Sequence, residues 1–170
     1  ILHNNENTRD LDTVSYTLYQ PNIYPQQSYD SAQYSLIMKK YNTIINMNKT
    51  SDLVIFPETI ISIPFTREDE FFKSFQTTTD DTNMLITGLF SKSDDKFFNS
   101  MIFFSDNINI YNKRKLVPFG EYTPWYNSLL KLAENLNIPL SNLSSGSERI
   151  EKISFGNINI IPMICFESTF

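Results

Sequence analysis

The sequence feature that most constrains the fold is a set of three predicted strands, each of which ends at a residue with a reactive side chain. The segments are residues 53–58, ending on Glu58; residues 111–113, ending on Lys113; and residues 158–165, ending on Cys165. Short apolar runs bounded by polar residues are typical of buried strands. A carboxylate, an ammonium and a thiol at three strand ends are the groups from which a nucleophilic site is built.

The hydrophobic periodicity indicates an α/β layered fold with a mixed sheet. It predicts strands at residues 14–18, 53–56, 84–90, 99–104, 108–111, 153–155 and 158–164, and helices at residues 28–48, 67–75 and 124–135. Strands alternate with helices early in the chain, and a hairpin follows around residues 105–107, which together favour this architecture. We expect residues 1–12 to form a polar arm and residues 13–170 to form one domain.

Composition excludes several classes of function. The net charge of −5 and the lack of a sizeable basic face argue against a nucleic-acid partner. The single histidine, His3, lies in the polar arm, which leaves no Cys–His or Ser–His pair and no histidine-based zinc site. No apolar run approaches the roughly 20 residues that a membrane-spanning helix needs.

Each candidate site residue also has a plain structural explanation. Cys165 is either an inert core residue or, given its strand-end position and its neighbour Glu167, a reactive thiol. Glu58 is either a turn or helix-capping acid or the base for that thiol, and burial beside Cys165 would make it a better proton acceptor.

Lys113 and Glu121 can likewise be interpreted as functional or as merely structural residues. Lys113 either stabilises an oxyanion or lies on the surface, and spacing alone does not separate it from Lys115. Glu121 lies in a proline-bounded loop, where it either holds the ammonium of Lys113 or has no role. The helix expected at residues 124–135 places Trp125 on an apolar face that packs on the domain or, alternatively, contacts lipid.

Three motifs resemble those of apolipoprotein N-acyltransferases, a branch of the nitrilase superfamily. Residues 111–124, Tyr-Asn-Lys-Arg-Lys-Leu-Val-Pro-Phe-Gly-Glu-Tyr-Thr-Pro, are similar to the lysine motif of that branch. Residues 56–59, Phe-Pro-Glu-Thr, resemble its base motif, and residues 164–167, Ile-Cys-Phe-Glu, resemble its nucleophile motif. Phe56, Lys115 and Phe166 stand where this branch often has Trp, His and Tyr, and none of these departures removes a catalytic group.

The resemblance implies a fold and a set of roles. The fold would be an αββα sandwich, of which we expect this chain to hold only the N-terminal part, incomplete at the C-terminus. Glu58 would be the general base, Lys113 would bind the oxyanion and Cys165 would be the nucleophile. The supporting groups would be Glu121, Glu167 and the backbone N–H of Phe166.

The resemblance also implies an activity. An acyl chain would pass from a phospholipid through a thioester to the N-terminal diacylglyceryl-cysteine of an apolipoprotein, without a metal or a cofactor. The whole protein would lie in a bacterial inner membrane, held by segments absent from this chain, with the catalytic domain facing the periplasm. Two alternatives remain: a soluble nitrilase-type amidase acting on a small C–N substrate, and an inactive fragment, since we expect the isolated chain to show little activity.

Overall fold

The computed structural model describes residues 13–20, 22, 31–47, 51–59, 64–66, 72–73, 75–76, 79, 83–126 and 141–169. The polar arm predicted at residues 1–12 lies outside these ranges, as do most of the helices predicted at residues 67–75 and 124–135.

A mixed five-stranded sheet with the order β1-β2-β3-β4-β5 lies at the centre of the described structure. Its strands are β1 (Tyr16–Leu18), β2 (Leu53–Ile55), β3 (Met84–Ser93), β4 (Lys96–Phe104) and β5 (Ile108–Asn112). Strands β1, β2 and β3 are parallel to one another. Strand β4 is antiparallel to β3, and β5 is antiparallel to β4. The mixed α/β sheet predicted from the sequence is therefore confirmed.

Helix α1 (Ser31–Met47) connects β1 to β2 and covers one face of the sheet. Tyr41 and Ile45, one helical turn apart, are buried, and the Tyr41 ring meets the Phe56 ring edge-on at 4.7 Å between centroids. Apolar residues spaced by three and four form one helical face. The helix predicted at residues 28–48 is confirmed over the described range.

Successive side chains along the strands belong to two core clusters, so both faces of the sheet are buried. Leu85 and Leu89 of β3 belong to the core cluster that contains α1, whereas Met84 and Ile86 belong to a second cluster on the other side. Successive strand residues point to opposite faces, so a continuous apolar run indicates cover on both sides.

Strands β3 and β4 form a hairpin that the sequence pattern did not reveal. Strand β3 continues to Ser93, three residues beyond its predicted end, and a turn at Asp94 and Asp95 leads into β4. The pattern was hard to recognise because the extension is polar: Ser91 is buried and pairs with Phe98, while Lys92 is exposed. The next hairpin, predicted around residues 105–107, is confirmed.

The strand predicted at residues 158–164 is wrong in its second half. Strands β6 (Ile153–Phe155) and β7 (Ile158–Ile160) form a separate two-stranded hairpin, and residues 161–164 are not in a strand. Pro162 lacks the N–H that a strand ladder needs. Cys165 therefore begins a short 3-10 helix, Cys165–Thr169, and does not lie at the tip of a buried strand.

Candidate active site

Lys113 follows β5 directly and carries a buried ammonium group. Its backbone N–H donates to the carbonyl of Asn99 at 2.8 Å, and its own carbonyl accepts the N–H of Gly146 at 2.9 Å. The residue is only 1% exposed. Its Nζ lies 2.8 Å from Oε1 of Glu121 and 4.0 Å from Oε1 of Glu58. A buried charge must be paired, and here two acids face one cation.

Glu121 is held by its own loop as well as by the lysine. Its Oε2 accepts the backbone N–H of Val117 at 2.9 Å, while Oε1 accepts from Lys113 and from the side chain of Asn99. Burial raises the pKa of Glu121, but the hydrogen bonds from Lys113, Asn99 and Val117 outweigh it, so the pKa lies below its ordinary value. The Lys113–Glu121 contact that the sequence left open is present as a direct ion pair.

Glu58 lies in the turn that follows β2, close to the backbone of β3. Gly88 makes this approach possible, because a Cβ atom there would lie 2.5 Å from the Cα atom of Glu58. The N–H of Gly88 also donates to the carbonyl of Pro57 at 3.2 Å. The side chain of Glu58 is 39% exposed, so this acid is not buried beside Cys165, the condition under which burial would make it a better proton acceptor.

Asn99 joins the two acids, although it lies outside all three sequence motifs. Its Nδ2 donates to Oε1 of Glu58 at 2.6 Å and to Oε1 of Glu121 at 2.8 Å. Asn99 and Ser100 are consecutive polar residues inside the otherwise mainly apolar strand β4. Polar groups in a buried strand need partners, and that interruption was the available signal.

The turn with Cys165 is connected to the Lys113 segment by Glu167. The buried carboxylate of Glu167 accepts the backbone N–H of Ile164 at 2.9 Å and that of Arg114 at 2.7 Å. Ile164 and Arg114 are the chain neighbours of Cys165 and Lys113, so one carboxylate brings these two backbone segments together.

The backbone at Cys165 is strained and its side chain is exposed. Cys165 has a φ of +50°, in the left-handed region that non-glycine residues rarely adopt. Thr59, the residue after Glu58, has a φ of +47°. Such strain clusters at functional sites, where surrounding structure maintains it. Cys165 is exposed, so it is not the inert core residue that the sequence left open.

Glu167 has a larger network than the sequence suggested. It also accepts the N–H of Lys115 at 3.1 Å and the hydroxyl of Tyr111 at 2.8 Å. Burial raises its pKa, but the hydrogen bonds from Ile164, Arg114, Lys115 and Tyr111 outweigh this effect, and the net pKa is lowered. Burial is also the main reason that the pKa of Tyr111 is raised. The roles of Tyr111 and Arg114 in this network had no distinct sequence signal.

Beside the turn that contains Cys165 and Phe166 lies an open cleft of about 610 Å³. Its lining includes the apolar residues Leu116, Pro118, Leu143 and Phe166 and the cations Arg114 and Lys115. Lys115 is exposed, in contrast to Lys113, so the structure distinguishes the two lysines. Pockets of several hundred Å³ with mainly apolar walls are typical of ligand sites.

Trp125 lies outside a helix, although the sequence predicted one from residue 124, and it is not packed on the domain, which was one of the two alternatives left open. Its φ is +55°, which is not helical, and the residue is 78% exposed. Phe119 is similarly exposed, with a φ of +62°. Two large aromatic side chains therefore project from the loop region that contains Glu121.

The described residues contain no group of three or more His, Cys, Asp or Glu side chains placed to hold a metal ion. The site's polar groups are instead an ammonium, three carboxylates and an amide, held by backbone N–H groups and by one another.

The fold and these motifs match a known class of enzymes. The family model described as carbon-nitrogen hydrolase matches residues 17–170, and the chain belongs to this family. It is 27% identical over 173 aligned residues to an apolipoprotein N-acyltransferase of Vibrio parahaemolyticus, covering 95% of this chain and 34% of that protein. The corresponding protein of Shewanella oneidensis is 24% identical, with coverage of 94% and 34%. The chain thus spans about a third of the length of these curated relatives.

A solved structure supports the same fold. The crystal structure of a carbon-nitrogen hydrolase from Helicobacter pylori superposes with a TM-score of 0.58 at 16% identity, covering 92% of this chain and 53% of the other. The nitrilase-like α/β fold expected from the motifs is therefore confirmed.

Proposed function

We propose that this chain is part of an N-acyltransferase that transfers an acyl chain from a phospholipid, through a thioester on Cys165, to the N-terminal diacylglyceryl-cysteine of an apolipoprotein. The observation that carries this proposal is the buried ammonium of Lys113, held between Glu121 and Glu58 beside the segment to which the Cys165 turn is attached. The names of the relatives in Vibrio and Shewanella support the choice of reaction.

In the first half-reaction, Glu58 accepts the proton of the Cys165 thiol and the thiolate attacks an ester carbonyl of the phospholipid. A C–S bond forms, and negative charge develops on the carbonyl oxygen. Lys113 and the backbone N–H of Phe166 stabilise that charge, each as a fixed donor. The C–O bond then breaks, and the departing lysophospholipid takes the proton from Glu58.

In the second half-reaction, the α-amine of the apolipoprotein attacks the thioester. A C–N bond forms, a proton of the amine passes to Glu58, and the same donors hold the second oxyanion. The C–S bond breaks, and Cys165 recovers its proton from Glu58. The two steps share one enzyme intermediate, so the kinetics are ping-pong.

Glu121 and Glu167 have supporting roles in this scheme. Glu121 pairs with Lys113 and fixes the position of its ammonium. Glu167 fixes the nucleophile turn through Ile164 and Arg114. A correctly placed group contributes more to catalysis than a mobile one, because its orientation is set before the reaction begins.

The cleft and the exposed aromatic residues support a lipid substrate. The apolar lining from Leu116, Leu143 and Phe166 suits an acyl chain, and Arg114 and Lys115 suit a phosphate. Phe119 and Trp125 are large exposed apolar groups of the kind that mark membrane contacts. We place the whole protein in a bacterial inner membrane, with this domain on the periplasmic side. No helix in the described ranges has the length and hydropathy to cross a bilayer.

A nitrilase-type amidase acting on a small C–N substrate is the second candidate, favoured by the match to the carbon-nitrogen hydrolase family. The same acid, cation and thiol would serve amide hydrolysis.

The deciding experiment uses the protein as its gene encodes it, incubated with phospholipid carrying labelled acyl chains. Acyl transfer predicts a labelled, hydroxylamine-sensitive adduct on the peptide that contains Cys165, discharged by a diacylglyceryl-cysteine peptide. Glu58→Gln should prevent its formation, with Asp52→Asn as a control at an acid bonded to Ser15 and not to these residues. No adduct from phospholipid, together with hydrolysis of short amides, would favour the amidase.

A further inference from the structure

The buried ammonium of Lys113 faces its two acids at unequal distances. Its Nζ is 2.8 Å from Oε1 of Glu121 but 4.0 Å from Oε1 of Glu58. A carboxylate in close contact with an ammonium is stabilised in its charged form and accepts a proton less readily. The longer separation leaves Glu58 outside direct contact with the ammonium, although opposite charges at this range attract. A second donor to the same carboxylate oxygen would favour the longer distance.

The side-chain amide of Asn99 occupies the same oxygen of Glu58. Its Nδ2 donates to that oxygen at 2.6 Å and to Oε1 of Glu121 at 2.8 Å. An amide nitrogen has two hydrogens, so each acid receives one. A neutral donor stabilises a carboxylate less than a cation does. The orientation of the amide follows, since a flipped amide would direct Oδ1 at two anionic oxygens.

Asn99 is itself held rigidly. It is 3% exposed, it pairs with Phe90 of the neighbouring strand, and its carbonyl accepts the N–H of Lys113 at 2.8 Å. Its Oδ1, however, is buried with no hydrogen-bond partner among the described residues. A buried acceptor without a partner costs stability.

We propose that Asn99 is a positioning residue that keeps Glu58 out of a close ion pair with Lys113, so that Glu58 remains an effective proton acceptor. The proposal rests on the proposed function, because it assumes that Glu58 takes the proton of Cys165. Asn99 acts through Glu58 and Glu121 and does not itself touch the reacting atoms.

The test measures the kinetics of thioester formation from phospholipid in the gene-encoded protein, across pH, for Asn99→Asp and Asn99→Ala. Both variants lose the two donated hydrogen bonds, so kcat should fall about 10- to 100-fold with KM little changed. In Asn99→Asp, the acidic limb of the pH–rate profile should also move to higher pH by about one unit, because an added carboxylate disfavours the charged form of its neighbours.

Ser100→Ala is the matched control. Ser100 is the next residue of the same strand and is fully buried, and its hydroxyl interacts with Ser91 at 2.6 Å and Asn112 at 2.7 Å without contacting either acid. The Ser100→Ala variant should lose about as much stability as Asn99→Ala and keep the pH–rate profile of the unaltered protein. The proposal is overturned if the acidic limb of Asn99→Asp stays in place. It is equally overturned if Asn99→Ala and Ser100→Ala lose the same kcat, or if both Asn99 variants fail to fold while Ser100→Ala folds. If only Asn99→Asp fails to fold, the proposal is judged by whether Asn99→Ala loses more kcat than Ser100→Ala.

Glu58→Gln separates this proposal from the proposed function. If Glu58→Gln still forms the thioester at the normal rate, the assignment of the base is wrong and the role of Asn99 fails with it, whereas acyl transfer through Cys165 stands. The proposed function fails only if the unaltered protein forms no thioester from phospholipid. If Glu58→Gln abolishes the thioester while Asn99→Asp leaves the acidic limb unmoved, the role of Asn99 alone is rejected.

Discussion

Arg114 donates its backbone N–H to the carboxylate of Glu167 at 2.7 Å across 53 positions of sequence. The same carboxylate accepts the N–H of Ile164, next to Cys165. The Cys165 turn and the segment after β5 therefore share one buried acceptor. The side chain of Glu167 thus connects the segment that contains Lys113 to the turn that contains Cys165.

Glu167→Gln should destabilise the protein in a pH-dependent way. Backbone hydrogen bonds hold the pKa of Glu167 below its ordinary value of 4.5, so the carboxylate stabilises the fold above that pH and loses this contribution as the pH falls. We expect a loss of about 2 kcal/mol near neutral pH, the scale of hydrogen bonds to a charged group. Chemical denaturation at several pH values measures it. A stability gap that stays constant down to acidic pH would contradict the assignment.

Lys113→Met should reduce both catalysis and stability. Losing one oxyanion donor lowers the rate about 100- to 1,000-fold. The part-buried carboxylate of Glu121 would keep its bonds from Asn99 and Val117 but lose its ammonium partner, which costs about 1–3 kcal/mol. The double variant Lys113→Met with Glu121→Gln should recover much of the stability but not the rate. Thioester formation and thermal unfolding are the measurements. Lys115→Met is the control, and an equal loss of rate in it would count against Lys113 as the oxyanion donor.

Gly88→Ala should displace Glu58 without altering any charged group. The added methyl group would lie 2.5 Å from the Cα atom of Glu58 and 3.0 Å from the carbonyl oxygen of Pro57, so the backbone must move. We expect a loss of about 1–3 kcal/mol of stability and about a 10- to 100-fold lower rate of thioester formation.

Gly120→Ala is the matched control for that substitution, because its nearest neighbour would be a Val117 methyl group at 3.5 Å, an ordinary contact. Stopped-flow measurement of thioester formation, with unfolding curves for both variants, tests the comparison. Comparable rates in the two variants would mean that the close approach of Gly88 does not position the acid.

Phe119→Ala and Trp125→Ala should weaken the use of membrane substrate without destabilising the fold. Both side chains are largely exposed, so the free energy of unfolding should change by no more than about 0.5 kcal/mol. If they insert into lipid, each loss should raise KM for vesicle phospholipid roughly tenfold and leave kcat unchanged. Leu36→Ala, the control, removes an exposed apolar residue of α1 and should change neither the KM for vesicle phospholipid nor the free energy of unfolding. A fall in melting temperature with unchanged KM would show that these aromatics pack on the protein.

Local sequence patterns were sufficient for most of the central sheet. Apolar runs and helical spacing predicted β2, α1 and the β4–β5 hairpin, because the periodicity of buried residues is a property of neighbours along the chain. The same patterns failed after Ile160, where an apolar stretch continues through Pro162 but leaves the strand. Apolar composition reports burial, and Ile164 is indeed buried, but it does not report whether backbone hydrogen bonds go to a neighbouring strand.

The sequence by itself determined the family and the identities of the candidate acid, cation and thiol, because motif residues lie within a few positions of one another. Only the tertiary structure decided that Lys113 is buried and paired while Lys115 is exposed, and that Glu58 keeps contact with solvent. It alone revealed the amide of Asn99, which reaches an acid 41 positions away. The physical reason is that hydrogen bonds and ion pairs act over a few ångströms in space, and the fold sets which distant residues come within that range.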